Sequence, residues 1–208
     1  MIVTLDGKRI DTPFAPESTL QAIVDQVRAM QPDDRLVVSV AINGHPLADA
    51  ELNAALGQVV AADAQVDLES SDRTELVVSA LRGLALRFQE AVEPLVAVAD
   101  QLSAGQVTQG LQRVGEFIGL WQTCYRTLAQ CSGLLGRDLT EYEHQGQSLT
   151  GHLGQMVDKL TELRAGLEAR DMVLVADLVR YELRPLSQKW HELLSGLADE
   201  LAGQSGPA

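Results

Sequence analysis

Long apolar runs are missing from this chain. No stretch approaches the ~18–20 consecutive apolar residues of a transmembrane helix, so nothing in it reads as a membrane span. The opening segment is interrupted by Asp6, Lys8 and Arg9, which leaves no apolar centre for a signal peptide. Cysteine is scarce: Cys124 and Cys131 stand seven residues apart on one predicted helix. That spacing is ~10 Å along the axis, beyond the ~7 Å reach of a disulfide. Unpaired thiols suit a reducing cytoplasm, where buried cysteine acts as a small hydrophobe. Aromatic residues make up 4% of the chain, so the core must rest on Leu, Val and Ala, which suits helices better than a β-sandwich. Clusters of Lys and Arg are absent as well. Phosphate backbones and anionic membrane surfaces require them, so neither nucleic acid nor membrane is an expected partner.

Catalytic signatures are also missing. There is no G-x-S-x-G, no phosphate-binding glycine loop, no paired C-x-x-C and no H-E-x-x-H. The expectation is a protein that is not an enzyme and needs no cofactor. One spacing stands against it. "EYEH" sets Glu141 and His144 three apart, the Glu-x-x-His step of di-iron helical bundles. Such a site needs a second copy and two further inward glutamates. His191 has Gln188 in the corresponding place. The metal set is therefore incomplete, and no metal is expected. A ligand- or metal-binding bundle enzyme working near Glu141, Tyr142 and His144 is the alternative reading.

Charge and apolar content are what the chain has in quantity. Of its 208 residues 46% are apolar, enough for a packed core, and the net charge is −13. Residues 1–72 hold 4 basic and 12 acidic side chains; residues 73–208 hold 12 and 17. The acidity serves solubility or a basic partner surface.

The first seventy residues alternate short strands with turns. Ile2–Leu5 and Arg9–Asp11 flank Asp6-Gly7, a strong hairpin dipeptide. In "APESTLQAIVDQVRAM", Ser18 with Gln21 forms a capping box, and Leu20, Ile23, Val24, Val27 and Met30 follow at helical spacing. In "RLVVSVAINGHPL", Val38, Val40 and Ile42 alternate inward, and Asn43-Gly44 turns the chain back. Asp49 can cap a short helix, and "AQVDLES" supplies a last strand. The order strand, strand, helix, strand, short strand, small helix, strand resembles the ubiquitin-like β-grasp superfamily. The resemblance covers about a third of the chain and rests on "LDGKRI", "PESTLQAIVDQV", "INGHPLAD" and "QVDLES". It implies a docking domain spanning residues 1–71. Ubiquitin-like carriers act through a free C-terminal diglycine. Here the last strand runs on into "DRTELVV", so conjugation and sulfur carriage are chemically excluded. Ala41 stands where ubiquitin has its exposed isoleucine.

Residues 72–203 read as an antiparallel four-helix bundle. Asp72 and Glu75 open the first helix, which carries Val77, Leu81, Leu84, Phe88, Val92, Leu95 and Leu102 and is kinked at Pro94. "SAGQ" breaks it. The second carries Val107, Leu111, Val114, Ile118, Trp121, Tyr125 and Leu128, with Gly136 as C-cap. The third runs from Leu139 through Tyr142, Gly146 and Leu149 to Leu167. After a corner at Arg170-Asp171, the fourth carries Val175, Val179, Leu183, Leu186, Trp190 and on to Leu201, kinked at Pro185. A 3.5-residue repeat with short loops predicts packing near +20°. Residues 204–208 are an expected flexible tail. Gly110, Gly115, Gly119, Gly146, Gly151, Gly154 and Gly166 serve either close helix packing or a mobile binding face. His152 and His191 read as polar residues flanking the core.

The fold class is thus α+β, a β-grasp domain followed by a helical bundle. The bundle resembles bacterial secretion and flagellar export chaperones at the level of fold. That implies a cytoplasmic adaptor, scaffold or chaperone-like interaction protein, binding an amphipathic helix or a basic surface, with a homodimer as a further option. The densest contact-like stretch is "DLVRYELRPLSQKW". Arg180, Tyr181, Arg184 and Trp190 are its candidate contacts, since Arg and aromatics dominate interface hot spots. The competing reading buries Trp190 with Leu186 and pairs Arg180 with Asp177.

Overall fold

A computed structural model describes residues 1–204. It divides into two compact units, with the division at Leu76/Val77. The predicted tail falls outside the described residues, except for Gln204, which ends the last helix.

The first unit is a five-stranded mixed sheet with two helices. In chain order these are β1 (Ile2–Leu5), β2 (Lys8–Arg9), α1 (Leu20–Ala29), β3 (Arg35–Ile42), β4 (His45–Pro46), α2 (Asp49–Ala55) and β5 (Gln65–Asp72). The sheet order is β2-β1-β5-β3-β4. β1 and β5 run parallel, and every other pair is antiparallel. Asp6-Gly7 and Asn43-Gly44 both take positive φ, 50° and 75° in the first pair and 53° and 76° in the second, as tight hairpin turns demand. The core joins Val3, Val40, Val66 and Leu68 of the sheet to Leu20, Ile23 and Val27 of α1.

Three sequence expectations shift here. The cap of α1 is Thr19, whose hydroxyl accepts from Ala22 N–H at 3.3 Å, not Ser18. The cap position of α2 is Ala48; Asp49 already lies inside the helix. Val38 does not face the core. Opposite β5, Val37 pairs with Ser70 and Ser39 with Glu69, so Val38 is the extra residue of a β-bulge and is exposed.

Asp72 caps the helix that opens at Arg73 as expected, its Oδ1 accepting from Thr74 and Glu75 N–H at 2.7 and 3.0 Å. The helices are α3 (Arg73–Ser103), α4 (Val107–Leu135), α5 (Leu149–Glu168), α6 (Met172–Asp177) and α7 (Arg184–Gln204). Gly136 ends α4 in the left-handed region at φ 62°, and Asp171 caps α6 by accepting from Leu174 N–H. No helix among the described residues is long and apolar enough to cross a membrane. One core runs from Val77 to Leu201, centred on Phe88, Trp121 and Trp190. Their rings meet at centroid distances of 4.6, 5.1 and 6.1 Å.

Two departures matter for function. The third helix does not begin at Leu139. Residues 139–148 form a turn and a small hairpin, β6 (Glu143–His144) with β7 (Gln147–Ser148). Its turn, Gln145-Gly146, has φ of 52° and 75°, the geometry of the two turns in the first unit. Ser148 then caps α5 by accepting from Gly151 N–H.

The second departure precedes Pro185. Leu178–Leu183 is a π-helical segment between α6 and α7. Arg184 N–H donates to Val179 O, five residues back. Proline has no N–H, and its ring crowds the carbonyl four residues back. Widening the turn just before it relieves both demands. Spacing acts in the same direction: Val175, Val179 and Leu183 are all buried at steps of four, longer than an α-helical turn.

Candidate functional site

The four predicted contact residues have different fates. Arg180 forms an ion pair with Asp100 of α3, not with Asp177. Tyr181 is 64% exposed. Arg184 is half-buried, and its Nε is buried without a hydrogen-bond partner. Trp190 is 0% exposed. It belongs to the aromatic core, so it is withdrawn as a contact: an indole packed between Phe88 and Trp121 has no face left for a partner.

Tyr181 borders a cleft of about 450 Å³ between α5 and the π segment, lined also by Gln155, Lys159, Glu162, Pro185 and Lys189. The cleft is polar. Lys159 Nζ pairs with Glu162 at 3.1 Å and with Glu182 at 3.3 Å, and Glu162 first, then Glu182, hold its ammonium above the usual lysine value. Lys189 Nζ donates to Gln147 Oε1 and Gln155 Oε1, each at 3.3 Å.

The opposite flank of α5 is apolar. Trp121, Tyr125 and Arg126 of α4 and Met156, Val157 and Leu160 of α5 line a groove of about 480 Å³. Tyr125 is 61% exposed and Val157 57%. Tyr125 was expected on the buried stripe. The buried row Val114, Trp121 and Leu128 is joined instead by Phe117, Cys124 and Cys131, which turns Tyr125 outward. Helix α5 thus stands between two grooves, each flanked by an exposed tyrosine. Gly154 on α5 and Gly115 and Gly119 on α4 have open space where a Cβ would stand, so these three do not serve close packing. Gly110, Gly151 and Gly166 do, against Leu102, Gln147 and Val175.

The geometry does not assemble the alternative site. Glu141 and His144 were expected on one helix face. Instead Glu141 is exposed in the turn before the hairpin, and His144 lies in β6. No group of three or more His, Cys, Asp or Glu side chains among the described residues could hold a metal ion. Both cysteines are buried. Burial pushes the Cys131 thiol up to about 11 and raises that of Cys124 as well, so neither is a ready nucleophile. A further groove of about 770 Å³ between α3 and α4 sets Arg87 and Arg113 among Glu90 and Glu116.

Two features escaped the sequence. His152, expected at the edge of the core, is fully buried. The hairpin over it was signalled only by Gln145-Gly146, a weaker cue than Asn-Gly.

A family model described as Domain of unknown function (DUF8042) matches residues 85–193. That span contains both grooves and the hairpin. A protein of Treponema pallidum (strain Nichols), described as an uncharacterized protein, is 23% identical over 191 residues, covering 89% of this chain and 92% of its own. No solved structure matches.

Proposed function

The chain belongs to the DUF8042 family, and from that premise we propose that it is a non-enzymatic protein–protein interaction module. Its helical unit receives an amphipathic partner helix in the α4–α5 groove. The observation that carries this reading is the pair Tyr125 and Val157, both more than half exposed on the rims of an apolar groove floored by Trp121 and Met156. Aromatic anchors around a desolvated trough suit the apolar face of a helix. The net charge of −13 favours a partner whose other face is basic.

The rest of the reading follows the same proposal. The parallel β1–β5 pair at the centre of a β2-β1-β5-β3-β4 sheet, with α1 on its core face, supports a ubiquitin-like β-grasp domain. Four helical runs, with α6, the π segment and α7 as the fourth, support an antiparallel four-helix bundle. Adaptor, scaffold and chaperone-like roles in the cytoplasm all fit such a molecule, and Tyr181 would extend the contact across α5. No observation favours a reaction at Glu141 and His144.

The test uses a synthetic 18-residue Leu/Lys peptide with its leucines at helical spacing, labelled for fluorescence anisotropy and titrated with the full chain. Binding should weaken roughly tenfold in the double variant Tyr125→Ser/Val157→Asp, a loss of ~1.4 kcal/mol. A matched Leu/Glu peptide should bind more weakly than the Leu/Lys one. Equal affinity of wild type and variant, or of the two peptides, overturns the proposal. So does a concentration-dependent dimer in sedimentation that the double variant abolishes, because a second copy would then own the groove.

A further inference from the structure

Three ring nitrogens are buried without partners beside the β6–β7 hairpin. His152, in the first turns of α5, is 0% exposed. Its Nε2 lies 3.2 Å from the backbone oxygen of His144. A carbonyl oxygen only accepts, so Nε2 carries the proton and Nδ1 of the neutral ring holds a lone pair. That Nδ1 has no hydrogen-bond partner, and neither do His144 Nε2 and Trp190 Nε1. The His144 and His152 rings lie 6.2 Å apart by centroid, and His152 and Trp190 lie 6.5 Å apart.

The hairpin is small. Its ladder has two residue pairs, Glu143 with Ser148 and His144 with Gln147, too few to hold by themselves. It is fastened by other bonds. Leu149 N–H donates to Tyr142 O at 2.8 Å. Gln145 Nε2 donates to Glu192 of α7, and Lys189 of α7 donates to Gln147. Tyr142 Oη and His144 rest against Gly196, where a Cβ would stand 2.9 Å from that hydroxyl. His152 is the bond from below.

We propose that the hairpin Glu143–Ser148 is a proton-operated latch, held closed on α5 by neutral His152 and opened when Nδ1 of that imidazole takes a proton from solvent. Protonation makes Nδ1 a second donor and places a full charge in a buried pocket. The backbone oxygens of His144 and Gln147 favour that charge, but burial outweighs them. From α7 the ring faces the Lys189 ammonium and the uncharged Trp190; from the hairpin it faces His144 and the backbone of Gln147. Glu192 is engaged by Gln145, His191 turns its Nδ1 to Ala85 O, and Asp199 and Glu200 act on Tyr142. Among the described residues no carboxylate is hydrogen-bonded to His152. Burial first, then the charges of Lys189 and His144, hold it below the ordinary histidine value. The closed form therefore holds at neutral pH and gives way as the solution acidifies. A two-rung hairpin is the cheapest element to move. Its opening wets His152 and the edge of Trp190, and frees Lys189 from Gln147 beside the Tyr181 cleft. This inference does not depend on which partner the grooves receive.

The experiment follows the full chain by amide exchange and histidine NMR between pH 7.5 and pH 5. Protection of the Leu149 and Thr150 amides, corrected for intrinsic exchange, should fall at least tenfold on acidification, while amides of Leu193–Leu197 stay protected. Acrylamide quenching of Trp190, read in a Trp121→Phe background, should rise over the same range. In His152→Gln the side-chain amide can still donate to His144 O but cannot titrate, so the pH dependence should vanish. Unchanged protection in wild type, or the same pH dependence in His152→Gln, overturns the latch. If that variant does not fold, the wild-type imidazole decides. Titration of His152 at or above the ordinary histidine value with the Leu149 amide still protected overturns it, and titration below that value in step with loss of protection sustains it.

Discussion

Asp6 and Ser70 tie the first turn of the chain to β5, the last strand of the first sheet, through both oxygens of one carboxylate. Ser70 N–H donates to Oδ1 and Ser70 Oγ–H to Oδ2, each at 2.7 Å. These two donors, the backbone one first, hold the Asp6 carboxyl below the usual carboxylate value. Between the lowered folded value and the unfolded one, the folded chain binds fewer protons. The stabilisation is therefore complete above the unfolded value, ~3.9, and is lost as pH falls through the folded one. Asp6→Asn should lower stability by ~1 kcal/mol at pH 7, and the gap to wild type should close in acid. Urea unfolding from pH 7 down into acid checks this; a gap that does not narrow as the pH falls contradicts it.

Trp190 and Tyr181 lie nine residues apart and should behave oppositely. Trp190→Ala empties the aromatic core and should cost ~3–5 kcal/mol. Tyr181→Ala on the exposed face should stay within ~0.5 kcal/mol. Equal effects in thermal melts would contradict the burial of one and the exposure of the other.

Glycines in the helices divide by what a methyl group would meet. At Gly154 it meets open space, so Gly154→Ala should stabilise by ~0.5–1 kcal/mol through the backbone entropy it removes. At Gly110 it would stand 2.6 Å from Cδ2 of buried Leu102, so Gly110→Ala should destabilise by ~1–3 kcal/mol. Chemical unfolding of the two variants should give opposite signs.

Thiol chemistry gives a cheap check of the core. With Cys124 and Cys131 buried and both thiols raised by burial, an aromatic disulfide reagent at pH 8 should leave the native chain unmodified and titrate two thiols per chain in denaturant. Rapid native reaction would contradict the packing of α4.

How far the sequence could be read depended on whether the signal was local. Asp6-Gly7, Asn43-Gly44, Gly136 and Asp72 each carry their chemistry in one or two residues, and each sits where expected. Gln145-Gly146 makes the same turn, yet glutamine rarely enters the left-handed region, and the spacing of Leu139, Tyr142, Gly146 and Leu149 continues a helical rhythm straight through it. On α4 the row Val114, Trp121, Leu128 fits two seams equally well, one through Leu111, Ile118 and Tyr125, the other through Phe117, Cys124 and Cys131. Only the neighbouring helices choose between them, and their choice exposes Tyr125. Val38 was misplaced because a bulge reverses the alternation on which the reading relied. In the candidate site, Tyr181 was legible as an aromatic among charges. Val157, which closes the apolar groove, carried no cue.

The wide turn at Leu178–Leu183 has a consequence for length. It holds one residue more than an α-helix would across the same rise, and each α-helical residue turns the axis by ~100°. Winding the same residues as an ordinary α-helix would swing everything beyond by about that angle. Trp190, Leu193 and Leu197 would rotate off the core together. Deleting a single residue there would instead restore ordinary winding with the register beyond it kept, so the shortened helix is the one that still fits.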